Sequence, residues 1–127
     1  MKKILVTDDD PQMIELILSA FELYGPEYEI LTASNGRTAM EMVRQSHPDM
    51  IILDIMMPDG HGYSVCRDIR MNPSLNRMKI LVLSAKYFPR DRQEILDLGA
   101  DAFIPKPFGL QQVVLEVRKL LNDATPS

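Results

Sequence analysis

Chemically reactive side chains stand at the ends of four short apolar runs in this sequence. Asp8 and Asp9 follow the first run, Asp54 ends the second, Ser84 ends the third, and Lys106 comes soon after the fourth. A carboxylate can attack phosphorus without a general base, and hydroxyl and ammonium groups can hydrogen-bond the phosphoryl oxygens. The residue types therefore favour phosphoryl transfer to Asp54, provided that the fold brings the four places together.

The carboxylates are a second chemical signal, because they would repel one another if they were neighbours. Two like unit charges about 4 Å apart cost on the order of 4 kcal/mol at an effective dielectric constant near 20. A group of carboxylate oxygens suits a hard divalent cation, and in the cytoplasm this means Mg2+ first. The sequence thus predicts a Mg2+ site at Asp8, Asp9 and Asp54, with Lys106 as a further positive charge.

Five apolar runs, each too short for a helix, are typical of buried strands. They cover residues 3–7, 28–32, 50–54, 79–83 and 102–104. Apolar residues at helical spacing follow each run, within 13–24, 39–43, 65–69, 95–98 and 110–121. This alternation predicts a single-domain (βα)5 fold of the α/β class, with helices on both faces of a parallel sheet in three layers. Because the carboxyl ends of parallel strands share one edge, the reactive side chains should meet there.

Turn and cap residues mark the ends of these elements. Asp10 precedes a proline and is the expected N-cap of the first helix, while Gly99 should end the fourth helix. Between the third strand and its helix, Pro58, Gly60 and Gly62 predict a tight turn in which glycine supplies a positive φ. One helix start does not need three adjacent acids, which leaves the first two aspartates for the metal site.

Composition indicates one domain of ordinary size. A chain of 127 residues with 46% hydrophobic content can bury a core without disulfides or a structural metal. The net charge is −4 and the basic residues are scattered, so nothing favours direct binding to nucleic acid or membrane surfaces. Cys66 is the only cysteine and is interpreted as a packed thiol, and no apolar run could span a membrane. The expected location is the cytoplasm.

Four motifs, taken in order, resemble the receiver domain of bacterial two-component response regulators. They are Ile-Leu-Val-Thr-Asp-Asp-Asp-Pro, Ile-Ile-Leu-Asp-Ile-Met-Met-Pro, Val-Leu-Ser-Ala-Lys and Gly-Ala-Asp-Ala-Phe-Ile-Pro-Lys-Pro-Phe. The likeness runs nearly end to end and implies the flavodoxin-like strand order 2-1-3-4-5. It also implies that the protein is not an enzyme in the usual sense, since it would catalyse only its own phosphorylation and dephosphorylation.

The resemblance implies a role for each acidic position. Asp54 would take a phosphoryl group from the phosphohistidine of a sensor histidine kinase or from a phosphotransfer protein. Asp9 would bind Mg2+ directly, whereas Asp8 would act mainly through water. The main-chain carbonyl of Met56 would complete the protein ligands.

The resemblance also implies a switch. Ser84 would move to hydrogen-bond the phosphoryl group, Phe103 would turn inward behind it, and Lys106 would pair with the phosphate through a cis Lys106–Pro107 peptide. The fourth helix, fifth strand and fifth helix would form the output face, with a phosphorylation-dependent dimer left open and the downstream partner or output domain unspecified. Residues on that face would include Tyr87, Arg90, Phe103 and Lys119.

Two positions depart from the pattern of the family. Gly60 and His61 replace the Met-Asp pair that many receivers have before the glycine at Gly62, and His61 is interpreted as a solvent-facing loop residue. Lys86, two residues after Ser84, occupies a position that tunes dephosphorylation in the family.

The sequence also leaves two alternative functions open. The Asp-x-Asp at residues 8–10 also occurs in haloacid-dehalogenase-like phosphatases, in which Asp8 would be the nucleophile, but the short chain disfavours this class. The other alternative is a binding module that keeps the receiver fold and takes no phosphate.

The receiver domain is predicted to cover residues 1–122, and residues 123–127 would be a flexible tail or the start of a linker.

Overall fold

A computed structural model of the protein describes residues 1–57, 61–85 and 89–123, without the side chains of residues 61 and 89–91. Its strands are β1 Lys3–Thr7, β2 Glu29–Ala33, β3 Met50–Asp54, β4 Lys79–Ser84 and β5 Ala102–Pro105. Its helices are α1 Pro11–Tyr24, α2 Gly36–Ser46, α3 His61–Met71, α4 Pro89–Asp97 and α5 Leu110–Leu120. The described residues therefore show the predicted alternation of strands and helices.

The strands form one parallel sheet in the order β2-β1-β3-β4-β5, which confirms the expected flavodoxin-like topology. The central strand, β3, is buried along its whole length. Ser84 and Pro105 pair with each other in register, so both belong to strands and not to the loops after them. Tyr28 lies just before β2, where its ring packs edge-on against Phe21 with centroids 5.9 Å apart.

Two apolar cores cover the two faces of the sheet. Ile4 and Val6 of β1 join the core beneath α1 and α5, whereas Leu5 joins the core beneath α2, α3 and α4. This alternation along one strand confirms the three-layer arrangement. Cys66 is buried in the second of these cores, where burial raises the pKa of its thiol, so the prediction of a packed thiol is confirmed.

The predicted helix ends are also confirmed. The Asp10 side chain accepts the N–H of Gln12 at 3.0 Å and so caps α1. Gly99 follows α4 with φ +113°, a conformation that favours glycine. Among the described residues, no helix combines the length and apolar character needed to cross a membrane.

Carboxylates stand at the amino ends of two strands, and both accept main-chain hydrogen bonds. Asp49, before β3, accepts the N–H of Lys3 at 2.8 Å. Asp101, before β5, accepts the N–H of Ile80 at 2.7 Å and a 2.7 Å bond from the guanidinium group of Arg70. Arg70 also donates to the main-chain carbonyls of Asn76, Met78 and Gly99. Hydrogen bonds made by these two aspartates and by Arg70 therefore connect neighbouring segments at the amino edge of the sheet.

Asp123, at the end of the described chain, is also held. Its carboxylate accepts hydrogen bonds from Nζ of Lys2 at 2.5 Å and from the hydroxyl of Tyr28 at 2.7 Å. These contacts fix the end of α5 against the beginnings of β1 and β2. Residues 124–127 lie outside the described part, and the boundary after residue 122 stays a prediction.

Candidate functional site

Three aspartates meet at the carboxyl edge of the sheet. Asp8 follows β1 and Asp54 ends β3, and these strands pair in register through Thr7 and Leu53. One carboxylate oxygen from each of Asp8, Asp9 and Asp54 lies within 4.8 Å of the others. Asp8 is 2% and Asp54 6% exposed, whereas Asp9 faces solvent. Two acids therefore form the floor of the site, and the third lies at its opening.

Lys106 supplies positive charge to this group. Its Nζ lies 3.2 Å from Oδ2 of Asp8 and 3.5 Å from Oδ2 of Asp54. The N–H of Lys106 donates to the carbonyl of Ser84 at 2.8 Å, which holds the end of β5 beside the end of β4. The Lys106–Pro107 peptide is cis, as the resemblance implies. Since the lysine side chain is only 19% exposed, solvent screens these ion pairs less than it would at the surface.

The main chain orients both buried carboxylates in the same way. Oδ1 of Asp8 accepts the N–H of Asp10 at 2.9 Å, and Oδ1 of Asp54 accepts the N–H of Met56 at 2.9 Å. A bond from an aspartate to the N–H two residues on is an Asx-type turn. Because Oδ1 is held in each case, Oδ2 of both acids faces Lys106. Two equivalent turns thus aim two carboxylates at one ammonium group.

Electrostatics leave this group short of positive charge. Burial raises the pKa of Asp8 above its ordinary value, and the neighbouring charge of Asp54 acts in the same direction. The N–H of Asp10 and the ammonium group of Lys106 lower the pKa but do not outweigh these effects. Among the described residues, one ammonium group faces three carboxyl groups, so the cluster is rich in acidic groups.

These donors fit a hard divalent cation. The ligand atoms are carboxylate oxygens, which Mg2+ prefers, and the negative charge of the cluster would be reduced by a cation. The exposed position of Asp9 leaves an open side for the water ligands that Mg2+ usually keeps. The side chain of Met56 is 48% exposed beside the site, and the predicted contribution of its carbonyl to metal binding stays a prediction.

The structure corrects two interpretations of the segment after β3. Gly62 lies in the first turn of α3 and is not among the described residues with positive φ, so that explanation of Gly62 is wrong. A Cβ atom on Gly62 would instead lie 2.6 Å from Cα of Ile55 and 2.8 Å from the carbonyl oxygen of Asp54. His61 begins α3 and is not in a loop. Glycine is a poor helix former, so a glycine at the start of α3 indicates that something other than helix propensity requires it. The close approach to the backbone at the end of β3 is that requirement.

The predicted switch residues, Ser84 and Phe103, lie on β4 and β5. Ser84 is fully buried at the end of β4. Phe103 pairs in register with Val82 and packs, half-buried, against the core beneath α2, α3 and α4. Lys119 is exposed on α5, whereas Pro58, Gly60, Lys86, Tyr87 and the side chain of Arg90 lie outside the described residues. The movements of Ser84 and Phe103 stay predictions.

Known proteins match this sequence over almost its whole length. The sequence matches the response regulator receiver domain family over residues 4–118. Response regulator MprA of Mycolicibacterium vanbaalenii is 37% identical over 124 residues, which cover 98% of this chain and 52% of the relative. The chain thus spans about half the length of the curated relatives it matches.

Solved structures agree with the sequence match. The receiver domain of a signal transduction histidine kinase from Syntrophus aciditrophicus is 32% identical, with a TM-score of 0.85 and coverage of 96% of this chain and 91% of that one. The chemotaxis response regulator CheY4 of Vibrio cholerae is 27% identical, with a TM-score of 0.85 and coverage of 94% and 98%. With the family match, the sheet order and the acidic edge taken together, this chain belongs to the response regulator receiver domain family.

Proposed function

We propose that Asp54 takes a phosphoryl group from a phosphohistidine. The observation that carries this proposal is the placement of Asp54, a buried carboxylate at the end of the central strand with Lys106 3.5 Å from its Oδ2 and two acids beside it. A carboxylate oxygen would bond to phosphorus as the P–N bond of the phosphohistidine breaks. The released imidazole nitrogen would take a proton from solvent, and no general base is needed because a carboxylate nucleophile has no proton to lose.

Mg2+ would be held by Asp8, Asp9 and Asp54, together with the main-chain carbonyl of Met56. Asp9 would be a direct ligand and Asp8 would act mainly through water. When bound, the cation supplies charge stabilisation at the phosphoryl oxygens. Lys106 would donate a hydrogen bond to the same group, and its ammonium group already lies between the two buried carboxylates.

Phosphorylation would then change the edge formed by β4 and β5. A phosphoryl group on Asp54 adds acceptor oxygens and negative charge, which would draw in the hydroxyl of Ser84 and the ammonium group of Lys106. Inward rotation of Phe103 would follow the movement of Ser84. The half-buried position of Phe103 is consistent with this, because part of the ring surface is still exposed and would be covered by the rotation. The output face would be α4, β5 and α5.

The partners follow from the chemistry of the family. The donor would be a sensor histidine kinase or a phosphotransfer protein in the cytoplasm. Because the curated relatives are about twice as long as the matched region, an output domain or separate downstream partner would receive the signal. The domain would bind neither nucleic acid nor membrane by itself, and phosphorylation could bring two copies together through the output face.

The alternative functions have weaker support. A haloacid-dehalogenase-like phosphatase with Asp8 as nucleophile is not favoured, because the sequence matches the receiver family over residues 4–118. A receiver fold that takes no phosphate would not need to gather Asp54, Lys106 and two further acids at one edge.

Incubation with acetyl phosphate and Mg2+, followed by borohydride trapping and mass spectrometry, tests the proposal. We expect one phosphoryl group on Asp54, and none in D54N or in wild-type protein treated with EDTA. Label on Asp8 would support the phosphatase alternative. Failure of the wild-type protein to gain any label would support the binding module.

A further inference from the structure

We propose that Gly62 is a positioning residue for phosphoryl transfer, because its lack of a side chain lets the first turn of α3 lie directly on the backbone that carries Asp54. This inference rests on the proposed function of Asp54. A Cβ atom at residue 62 would lie 2.6 Å from Cα of Ile55 and 2.8 Å from the carbonyl oxygens of Asp54 and Ile55. Each of these neighbours is a main-chain atom, so no side-chain rotation could make room.

The contact reaches Asp54 through one peptide link and one hydrogen bond. Ile55, the residue that Gly62 touches, is directly followed by Met56, whose N–H fixes Oδ1 of Asp54 at 2.9 Å. Unstrained carbon contacts lie at about 3.5 to 4.0 Å. An added Cβ would therefore separate α3 from Ile55 by roughly 1 Å, and the N–H that orients the carboxylate would move with it.

Neither side of this contact can move freely. Ile55 and Met57 are buried in the core beneath α2, α3 and α4, and Val65 anchors α3 in the same core. The displacement would therefore be taken up at the turn after β3, which holds Met56, the residue whose N–H orients the acceptor. Gly62 thus sets the position of the carboxylate without touching any reacting atom.

The size of the effect follows from the precision that such sites require. Functional groups must be held within about 0.5 Å of the productive geometry, and a displacement of about 1 Å can slow a reaction roughly a hundredfold. Loss of the groups that orient metal ligands typically weakens metal binding by about 10- to 100-fold. We therefore expect G62A to bind Mg2+ at least about tenfold more weakly and to accept phosphate about 10- to 100-fold more slowly.

The chain offers two matched controls. Gly109, the N-cap of α5, has φ −81°, and a Cβ there would meet no atom within 4 Å, so G109A makes the same chemical change in open space. V65A removes apolar contacts of α3 in the core and lowers stability without pressing on the Asp54 backbone. The four proteins are compared by urea unfolding, by Mg2+ affinity from calorimetry, and by the rate of Asp54 labelling with acetyl phosphate.

We expect G62A to be folded but to lose Mg2+ affinity and labelling rate, while G109A and V65A keep both. Equal Mg2+ affinity and labelling rate in G62A and wild type would overturn the inference. So would an equal loss in V65A, which would point to general softening of α3, or an unfolded G62A at 10 °C, which would show that the contact supports the fold instead. If the wild-type protein takes no phosphoryl group, the proposed function fails, and the Mg2+ affinities alone decide whether Gly62 positions the cluster.

Discussion

Replacing Asp8 with asparagine should stabilise the metal-free domain. The change removes one charge from the carboxylate cluster but keeps an oxygen that can accept the N–H of Asp10. Asparagine also has nearly the same shape, so the packing around this 2% exposed side chain should persist. The effect on stability is therefore mainly electrostatic.

The balance of forces at Asp8 gives the sign of this effect. Oδ2 of Asp8 is 3.2 Å from Nζ of Lys106, an attraction of about 5 kcal/mol at an effective dielectric constant of 20. Asp54 lies within 4.8 Å, a repulsion of at least about 3 kcal/mol on the same scale. The repulsion offsets more than half of the attraction, and burial, which is the largest effect, raises the pKa of Asp8. Single stabilising substitutions commonly gain about 0.5 to 2 kcal/mol, so we expect a gain of about 1 kcal/mol for D8N.

The pH dependence follows from the raised pKa. Above that pKa the ionised carboxylate destabilises the folded state, so the gain in D8N should grow as the pH rises above 3.8 and level off above the raised pKa. Below the ordinary value of 3.8, Asp8 is protonated in both the folded and unfolded states, and the difference between the proteins should vanish.

Urea unfolding in EDTA at pH 7.5, and again near pH 3.5, measures these differences. Added Mg2+ should reverse the order at pH 7.5, because a ligand at a hundred times its Kd stabilises the folded state by about 2.7 kcal/mol and D8N binds it less well. D9N serves as the control in EDTA, where its exposed side chain should change stability by no more than about 0.5 kcal/mol. If D8N is less stable than wild type in EDTA at pH 7.5, the pairing with Lys106 outweighs burial and the reasoning fails.

Three further variants test contacts away from the cluster, each by urea unfolding. The buried hydroxyl of Thr7 has no hydrogen-bond partner among the described residues, so T7V should gain about 1 kcal/mol, and a loss would indicate a partner. D123N should lose under about 1 kcal/mol at pH 7, because hydrogen bonds from Lys2 and Tyr28 lower the pKa of this carboxyl; the loss should fade as the pH falls below 3.8. R70M should lose about 2 to 3 kcal/mol, because four acceptors lose their donor, and a loss under 1 kcal/mol would show that water replaces it.

The sequence was sufficient to predict that the reactive side chains meet. Each of Asp8, Asp54 and Lys106 stands at or just after the end of a strand, and a parallel sheet brings such positions to one edge whatever the details of packing. Strand order was not predictable in this way, because it depends on which strands pair across long stretches of chain. It came from the resemblance, and the structure confirms it.

The sequence did not predict how closely particular helices and strands approach each other. The pattern of Gly62 predicted a turn, but the residue is required by a close contact between α3 and the end of β3, which depends on how two elements pack. The four hydrogen bonds of Arg70 were likewise missed, since their partners come from two separate segments, one before β4 and one before β5. Periodicity shows which face of a helix is buried but carries no information about such partners.

At both edges of the sheet, main-chain N–H groups donate hydrogen bonds to aspartate side chains, but these aspartates have different roles. At the amino edge, the N–H groups of Lys3 and Ile80 donate to Asp49 and Asp101, which lie away from the candidate site. At the carboxyl edge, the N–H groups of Asp10 and Met56 bind the two aspartates that a cation or phosphoryl group would recruit. The exchange of these two amide protons would therefore report the occupancy of the site directly, from within the backbone and without any attached probe.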